Sequence, residues 1–177
     1  MEKNQKIIAQ LLIDLESTKD QTVLDAITTA RQKGDKTILP SIIKLLDHAN
    51  LEVSESAKNM LYDIKDVESI DVILDNFKSN KDKVVRNTLL QSLWQSNIQP
   101  VNHLSKIVQV GIDGTLEDCI EVFSIVTNMI DVKIPDSEAM ESIFLINAAL
   151  EKIKDAPKKQ LLLDIVSFLN EHMDEVE

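Results

Sequence analysis

The feature that most constrains this chain is an apolar pattern that recurs about every thirty residues. Candidate helix caps at Asp20, Asn50, Asp82 and Asp113 lie 30, 32 and 31 residues apart. Each cap is followed at steps of three, seven and ten residues by side chains that share one helix face. These inward sets are Val23, Ile27 and Ala30; Val53, Ala57 and Met60; Val85, Leu89 and Ser92; and Leu116, Ile120 and Phe123. Such a period indicates a stacked array of helical repeats.

The segments between turn signals predict ten short helices in five antiparallel pairs. We expect them at residues 3–16, 21–33, 36–48, 51–65, 67–77, 83–97, 100–110, 115–130, 136–154 and 157–173. Residues 111–114 are predicted as a turn, and either Asp113 or Thr115 could cap the eighth helix. Three glycines and four prolines are too few for an all-β fold. We therefore expect a single all-α domain over residues 1–177, with its clearest repeats at 20–110 and divergent hairpins at 113–177.

Charge and composition exclude several classes of protein. The formal net charge is -11, which opposes binding to the phosphates of duplex DNA. The amphipathic N-terminal segment resembles no signal peptide, and no run of about 18 apolar residues predicts a membrane span. Cys119 is the one cysteine, so no intrachain disulfide can form. These features predict a cytoplasmic protein that binds neither nucleic acid nor membrane.

Two segments carry a resemblance to a known family. Leu39-Pro40-Ser-Ile-Ile-Lys-Leu-Leu is similar to the first helix of HEAT repeats, whose pattern is Leu-Pro-x-Leu-x-x-Leu-Leu. Asp82-Lys-Val-Val85-Arg86 is similar to the second helix, Asp-x-x-Val-Arg-x-x-Ala. Ser54 and Glu117 depart from the arginine, and Leu89 departs from the small residue. The resemblance to these armadillo-like proteins implies a right-handed α-solenoid of about five helix pairs, whose second helices line a concave docking face.

The side of the second helices opposite the inward sets forms a candidate binding ridge. Nine residues beyond the first inward residue, a step of about 180°, the sequence has Gln32, Tyr62, Trp94 and Ile125. Steps of six and two residues give the flanking sets Thr29, Asn59, Gln91 and Val122, and Asp25, Glu55, Asn87 and Asp118. Tyrosine and tryptophan dominate many protein interfaces, and amides can bond a peptide backbone. We therefore predict partner-binding residues at Tyr62, Trp94, Asn59, Gln91, Glu55 and Asn87. The alternative is that each ring only covers a neighbouring helix.

Acidic residues concentrate in the C-terminal part of the chain. Residues 101–177 contain fifteen acids and six bases, a net charge of -9. The patch formed by Glu117, Asp118 and Glu121 could attract a basic partner. The alternative is a solvated face whose acids favour helix N-termini.

The remaining alternatives are self-association and catalysis. The apolar run of Leu161, Leu162, Leu163, Ile165, Val166, Phe168 and Leu169 could contact another subunit, or pack against Met140, Phe144, Leu145, Ala148 and Leu150. Resemblance admits two enzyme classes with HEAT-like folds, bilin lyases and alkylpurine DNA glycosylases, but the acidic surface disfavours them. The three histidines are scattered and Cys119 has acidic neighbours. We expect a non-catalytic scaffold with no metal and no cofactor, which binds a protein or peptide.

Overall fold

A computed structural model of the chain describes residues 2–96, 98–129 and 131–174. Throughout these residues the secondary structure is helical and no β-strand occurs, which confirms the all-α fold. The ten α-helices are α1 (Glu2–Leu15), α2 (Asp20–Lys33), α3 (Leu39–Lys44), α4 (Leu51–Tyr62), α5 (Ser69–Ser79), α6 (Lys83–Gln95), α7 (Leu104–Asp113), α8 (Leu116–Thr127), α9 (Asp136–Ala149) and α10 (Ala156–Asp174). Neighbouring helices pack as pairs, as in a HEAT-like α-solenoid.

The contacts between residues divide the chain into two compact units, Met1–Ile98 and Gln99–Glu177. Unit 1 contains the helices α1 to α6, and unit 2 contains α7 to α10. The single domain expected over residues 1–177 remains a prediction. Each unit has its own core, and each is described by itself below.

In unit 1, the second helices of successive pairs lie side by side. Helix α4 packs against both α2 and α6, while the first helices α1, α3 and α5 form a parallel row behind them. The nine inward residues predicted for α2, α4 and α6 are all buried, none more than 7% exposed. Their burial confirms the helical period in this unit.

Two of the predicted caps in unit 1 are confirmed and one is wrong. The Asn50 side chain accepts a hydrogen bond from the Glu52 N–H, and that of Asp82 accepts one from the Val85 N–H. Asp20 instead lies inside the first turn of α2, and its carboxylate accepts a 2.5 Å hydrogen bond from the Asn50 side-chain amide. Asp20 therefore contacts the next repeat and does not cap α2.

The third predicted helix is interrupted. Its α-helical part, α3, is flanked by 3₁₀ turns at Lys36–Ile38 and Leu45–Asp47. Pro40 has no N–H to donate to the Lys36 carbonyl, and the Asp35 side chain bonds the Thr37 N–H. These two local bonding patterns favour the tighter turn at the start of the segment.

In unit 2, α7 packs against α8 and α9, and α10 packs against α8 and α9. Helix α7 continues to Asp113, so the turn predicted at residues 111–114 is wrong for its first three residues. A side chain at Gly111 would approach Val122 to 3.2 Å. The glycine therefore permits close packing between α7 and α8, and only Gly114 lies beyond the helix.

The predicted inward set of α8 is also wrong. Ile120 is 45% exposed, whereas Val122 and Ile125 are buried. The cap is Thr115, which forms a reciprocal capping box with Asp118. A cap two residues later than Asp113 rotates the buried face by about 200°.

Helix α9 ends five residues earlier than predicted, at Ala149. The Asp155 carboxylate accepts a 3.0 Å hydrogen bond from the Lys158 N–H at the start of α10. Of the two alternatives for the apolar run of α10, packing against α9 does not include Met140 and Phe144, which are 64% and 70% exposed.

Removal of the Asp82 cap should weaken unit 1. We expect Asp82→Ala to lower the free energy of unfolding by about 1 kcal/mol, because the Val85 N–H loses its acceptor. Urea unfolding followed by the fluorescence of Trp94, the one tryptophan in the chain, measures this change. The matched control is Asp75→Ala, an exposed carboxylate inside α5. An equal loss in both variants would contradict the capping role.

Candidate functional site

The candidate site lies on α4 and α6, the adjacent second helices of unit 1. Tyr62 and Trp94 occupy matching positions near the ends of these helices. Both side chains are half-buried, although their register points them away from the inward sets. We call the surface formed by Tyr62, Asn59, Glu55, Trp94, Gln91 and Asn87 the aromatic ridge.

A hydrogen bond joins the two helices across this ridge. The Tyr62 hydroxyl donates to the Gln91 side-chain carbonyl at 2.9 Å. The aromatic ring of one repeat is therefore oriented by the amide of the next. Since both side chains are half-buried, the bond is partly shielded from water and fixes the ring in one position.

The remaining ridge residues differ in their exposure. Asn59 and Glu55 are exposed on α4, whereas Asn87 is half-buried on α6. Glu55 forms a 2.6 Å ion pair with Lys58, and this hydrogen bond raises the pKa of Lys58. The carboxylate of Glu55 is thus partly compensated within its own helix.

The two ridge residues predicted on α8 are not exposed. Ile125, predicted on the ridge, and Val122, predicted on its flank, are buried in the core of unit 2. At the other end, the corresponding α2 residue is the exposed Gln32. The structure therefore confines the aromatic part of the ridge to two repeats.

The predicted acidic patch is divided by the structure. Glu117 is exposed and Glu121 is half-buried, but Asp118 is only 7% exposed. The Asp118 carboxylate accepts a 2.8 Å hydrogen bond from the Thr115 N–H as part of the capping box. Asp118 serves the start of α8, so it does not share an exposed surface with the two glutamates.

Sequence reasoning missed two ion pairs that connect adjacent repeats. Arg31 pairs with Asp63, and Lys36 pairs with Glu68 at 2.6 Å. In each pair the partners are 32 residues apart, which is one repeat. Arg31, Asp63 and Lys36 line a cleft of about 520 Å³ whose apolar lining includes Met60. Oppositely charged residues spaced by one repeat in the sequence were the signal that could have revealed these ion pairs.

Within the part of the chain that the structure describes, no three His, Cys, Asp or Glu side chains cluster closely enough to hold a metal ion. The helices in the same part are all too short or too polar to cross a membrane.

The chain matches the model of a known protein family. The family model described as HEAT repeats matches residues 6–94, which is 89 of the 177 residues. The matched segment covers α2 to α5 in full, most of α1, and α6 as far as Trp94. No curated protein matches the chain.

Cys119 is the remaining candidate for chemistry, and its surroundings suppress reactivity. The side chain is fully buried, and burial raises the pKa of the thiol to about 11. Its sulfur lies 4.0 Å from the Lys158 carbonyl oxygen. A buried, protonated thiol is a poor nucleophile.

We therefore expect Cys119 to react very slowly in the folded protein. At about pH 8, roughly one thiol in a thousand would be ionised at a pKa of about 11, against roughly one in four at the ordinary pKa of a cysteine. The rate with Ellman's reagent should be at least ~100-fold lower in native protein than in protein unfolded in guanidinium. Comparable rates in the two states would show that the thiol is accessible and ionisable.

Proposed function

Because the chain belongs to the HEAT-repeat family, we propose that it is a non-catalytic interaction module that binds an extended segment of a partner protein along the aromatic ridge. HEAT repeats generally mediate protein–protein interaction or scaffolding. A cytoplasmic location accords with the single cysteine, which is buried. The observation that carries the proposal is the hydrogen bond from Tyr62 to Gln91, which holds the Tyr62 side chain against a residue of α6 that lies one helical turn before Trp94.

The ridge geometry specifies the form of the partner. Packed helices lie about 8–10 Å apart, and a peptide in the extended polyproline II conformation advances about 3.1 Å per residue with three residues per turn. A peptide that crosses from α4 to α6 would therefore place every third side chain beside an aromatic ring. Asn59 on α4 offers an exposed amide that can bond the peptide backbone between these anchors.

Charge favours a partner that is neutral or basic. Asp25, Glu52 and Glu55 are exposed on the second helices of unit 1. Lys58 compensates Glu55, but an acidic segment would still approach a chain with a net charge of -11. Electrostatic complementarity would increase the association rate of a basic segment more than its final affinity. In unit 2, the exposed Glu117 and the half-buried Glu121 would favour the same class of partner.

A second candidate function is self-association through α9. Met140 and Phe144 are one helical turn apart and are 64% and 70% exposed. Two large exposed apolar side chains on one face are typical of a contact surface. Leu163 on α10 is also exposed, at 39%.

The ridge proposal can be tested with a library of random peptides. We expect selected peptides to carry large apolar residues spaced by three, and to change the emission of Trp94. Tyr62→Ala or Trp94→Ala should each weaken binding of a labelled peptide about thirtyfold, as for an interface hot spot. Tyr62→Phe should weaken binding only about fivefold, because the ring remains but the hydrogen bond that positions it is lost.

The matched control is Phe144→Ala, which truncates an exposed aromatic residue outside unit 1. Its affinity for the same peptide should equal that of the wild type. Unchanged binding in both ridge variants, or an equal loss in Phe144→Ala, would contradict the ridge as the binding surface. Circular dichroism of each variant establishes that the helical fold is retained.

Self-association makes a separate prediction for sedimentation equilibrium. Across micromolar concentrations the mean mass should rise above the 19.9 kDa of one chain. Met140→Glu with Phe144→Glu should restore the monomer mass, because two buried charges would oppose the contact. Ile13→Glu, at a residue 66% exposed in unit 1, is the control. A monomer mass for the wild type at every concentration would exclude this candidate.

A further inference from the structure

Unit 2 contains an open cleft of about 640 Å³, a volume suited to a small organic ligand. The cleft is lined by the end of α7, the start of α8, the C-terminal half of α9, the segment between α9 and α10, and the first turn of α10. Its charged lining residues are Lys152, Lys154, Lys158, Asp113 and Asp155. All of these elements belong to unit 2.

The lining of this cleft has a net positive charge, whereas the segment that contains it has a net negative charge. Residues 101–177 contain fifteen acids but only six bases. Three of those six bases line the cleft, against two of the fifteen acids. The cleft lining therefore has a formal charge of +1 within a segment of net charge -9. A concave site of one sign concentrates ligands of the opposite sign.

Lys158 is the most deeply placed of these bases, with only 8% of its surface exposed. Its ammonium donates to the Ile112 carbonyl at 2.7 Å and the Gly114 carbonyl at 2.6 Å. An ammonium has three N–H donors, and the described residues supply acceptors for two. Both acceptors are neutral carbonyls at the end of α7, so the positive charge is stabilised by the helix dipole without a carboxylate partner.

Lys152 and Lys154 are exposed at the rim of the cleft, and neither forms an ion pair with any residue that the structure describes. The two acids of the lining lower its formal charge to +1 but do not reverse its sign. The Asp155 carboxylate accepts a hydrogen bond from the backbone N–H of Lys158, and Asp113 is exposed at the end of α7. Two cations thus flank the opening while a third lies deeper.

The rest of the lining is largely aliphatic. Four of these residues come from α9 and the segment after it, and two come from the ends of α7 and α8. They are Leu145, Ala148, Ala149, Ile153, Ile112 and Leu116. This wall would remain poorly solvated next to a bound inorganic ion, whereas a hydrocarbon group would cover it.

We propose that this cleft binds a small organic anion, with a carboxylate or phosphate group beside the three lysines and a short aliphatic body against the wall. The oxyanion accepts hydrogen bonds from the ammonium groups at the rim and in the interior. The aliphatic body gains affinity by displacing water from the alanine and leucine side chains. This site does not depend on the aromatic ridge or on its partner.

The test uses four probes in NMR titrations of the full chain labelled with ¹⁵N. Hexanoate and hexyl phosphate carry both an anion and a hydrocarbon chain, inorganic phosphate carries only the anion, and hexanol only the chain. We expect the two amphiphilic anions to shift the backbone amides of Gly114, Ala149 and Lys158 with saturation. The tighter of the two identifies the headgroup.

Inorganic phosphate and hexanol should each bind at least ~10-fold more weakly than the better amphiphilic anion, because each uses half of the site. Equal binding of hexanol would exclude a role for the lysines. Equal binding of inorganic phosphate would exclude a role for the aliphatic wall. Absence of saturable shifts with every probe would overturn the proposal.

Variants test whether the exposed lysines of the cleft are responsible for binding the anion. Lys152→Gln with Lys154→Gln should raise the Kd of the better probe roughly tenfold, since each removes one exposed cation and leaves the α7 contacts intact. Lys133→Gln, at an exposed lysine outside the cleft lining, should leave the Kd unchanged. Lys133→Gln removes one charge instead of two, so a roughly threefold rise in Kd, half of the logarithmic effect, would show that net charge alone controls binding and would overturn the site. Lys158 is left unchanged because its loss would remove two hydrogen bonds from the end of α7.

Discussion

The packing of α4 between α2 and α6 is the constraint on which unit 1 depends. No repeat can bury its own apolar face, so each second helix must be covered by its neighbours. Val53 and Ala57 of α4 are fully buried, and the small alanine side chain lets a neighbouring helix approach closely. The same arrangement leaves the opposite side of α4 and α6 outside the core. The ridge is thus a geometric consequence of the core packing.

The position of each helix cap determines which side chains of the helix face the core. A shift of one cap by two residues rotates the inward face by about 200°, nearly to the opposite side of the helix. Helix α8 shows the effect, because Thr115 and not Asp113 begins it. Asp118 and Val122 thereby become buried, although a cap at Asp113 would have exposed both. In unit 1, α4 and α6 begin at the predicted caps Asn50 and Asp82, so the faces predicted to be buried are the buried ones.

These differences explain how far the sequence could be interpreted. The helical class and the inward faces of unit 1 follow from local periodicity and unambiguous caps. The end of α9 could not be predicted, because the helix-forming pattern continues to Lys154 while the Asp155 cap of α10 requires the chain to leave it earlier. The ridge direction was predictable, but the bond from Tyr62 to Gln91 depends on the distance between two helices, which one-dimensional periodicity does not contain.

The cleft of unit 2 was hidden from the sequence for a related reason. Its lysines are close in the chain and resemble an ordinary solvated segment. Lys158 is buried only because α7 extends to Asp113 and directs its last carbonyls toward the ammonium. The lysines consequently divide into two roles, one that stabilises a helix end and two that remain exposed at the rim. Since Lys158 has no carboxylate partner among the described residues, an anion bound as proposed would interact with Lys158 as well as with the exposed lysines.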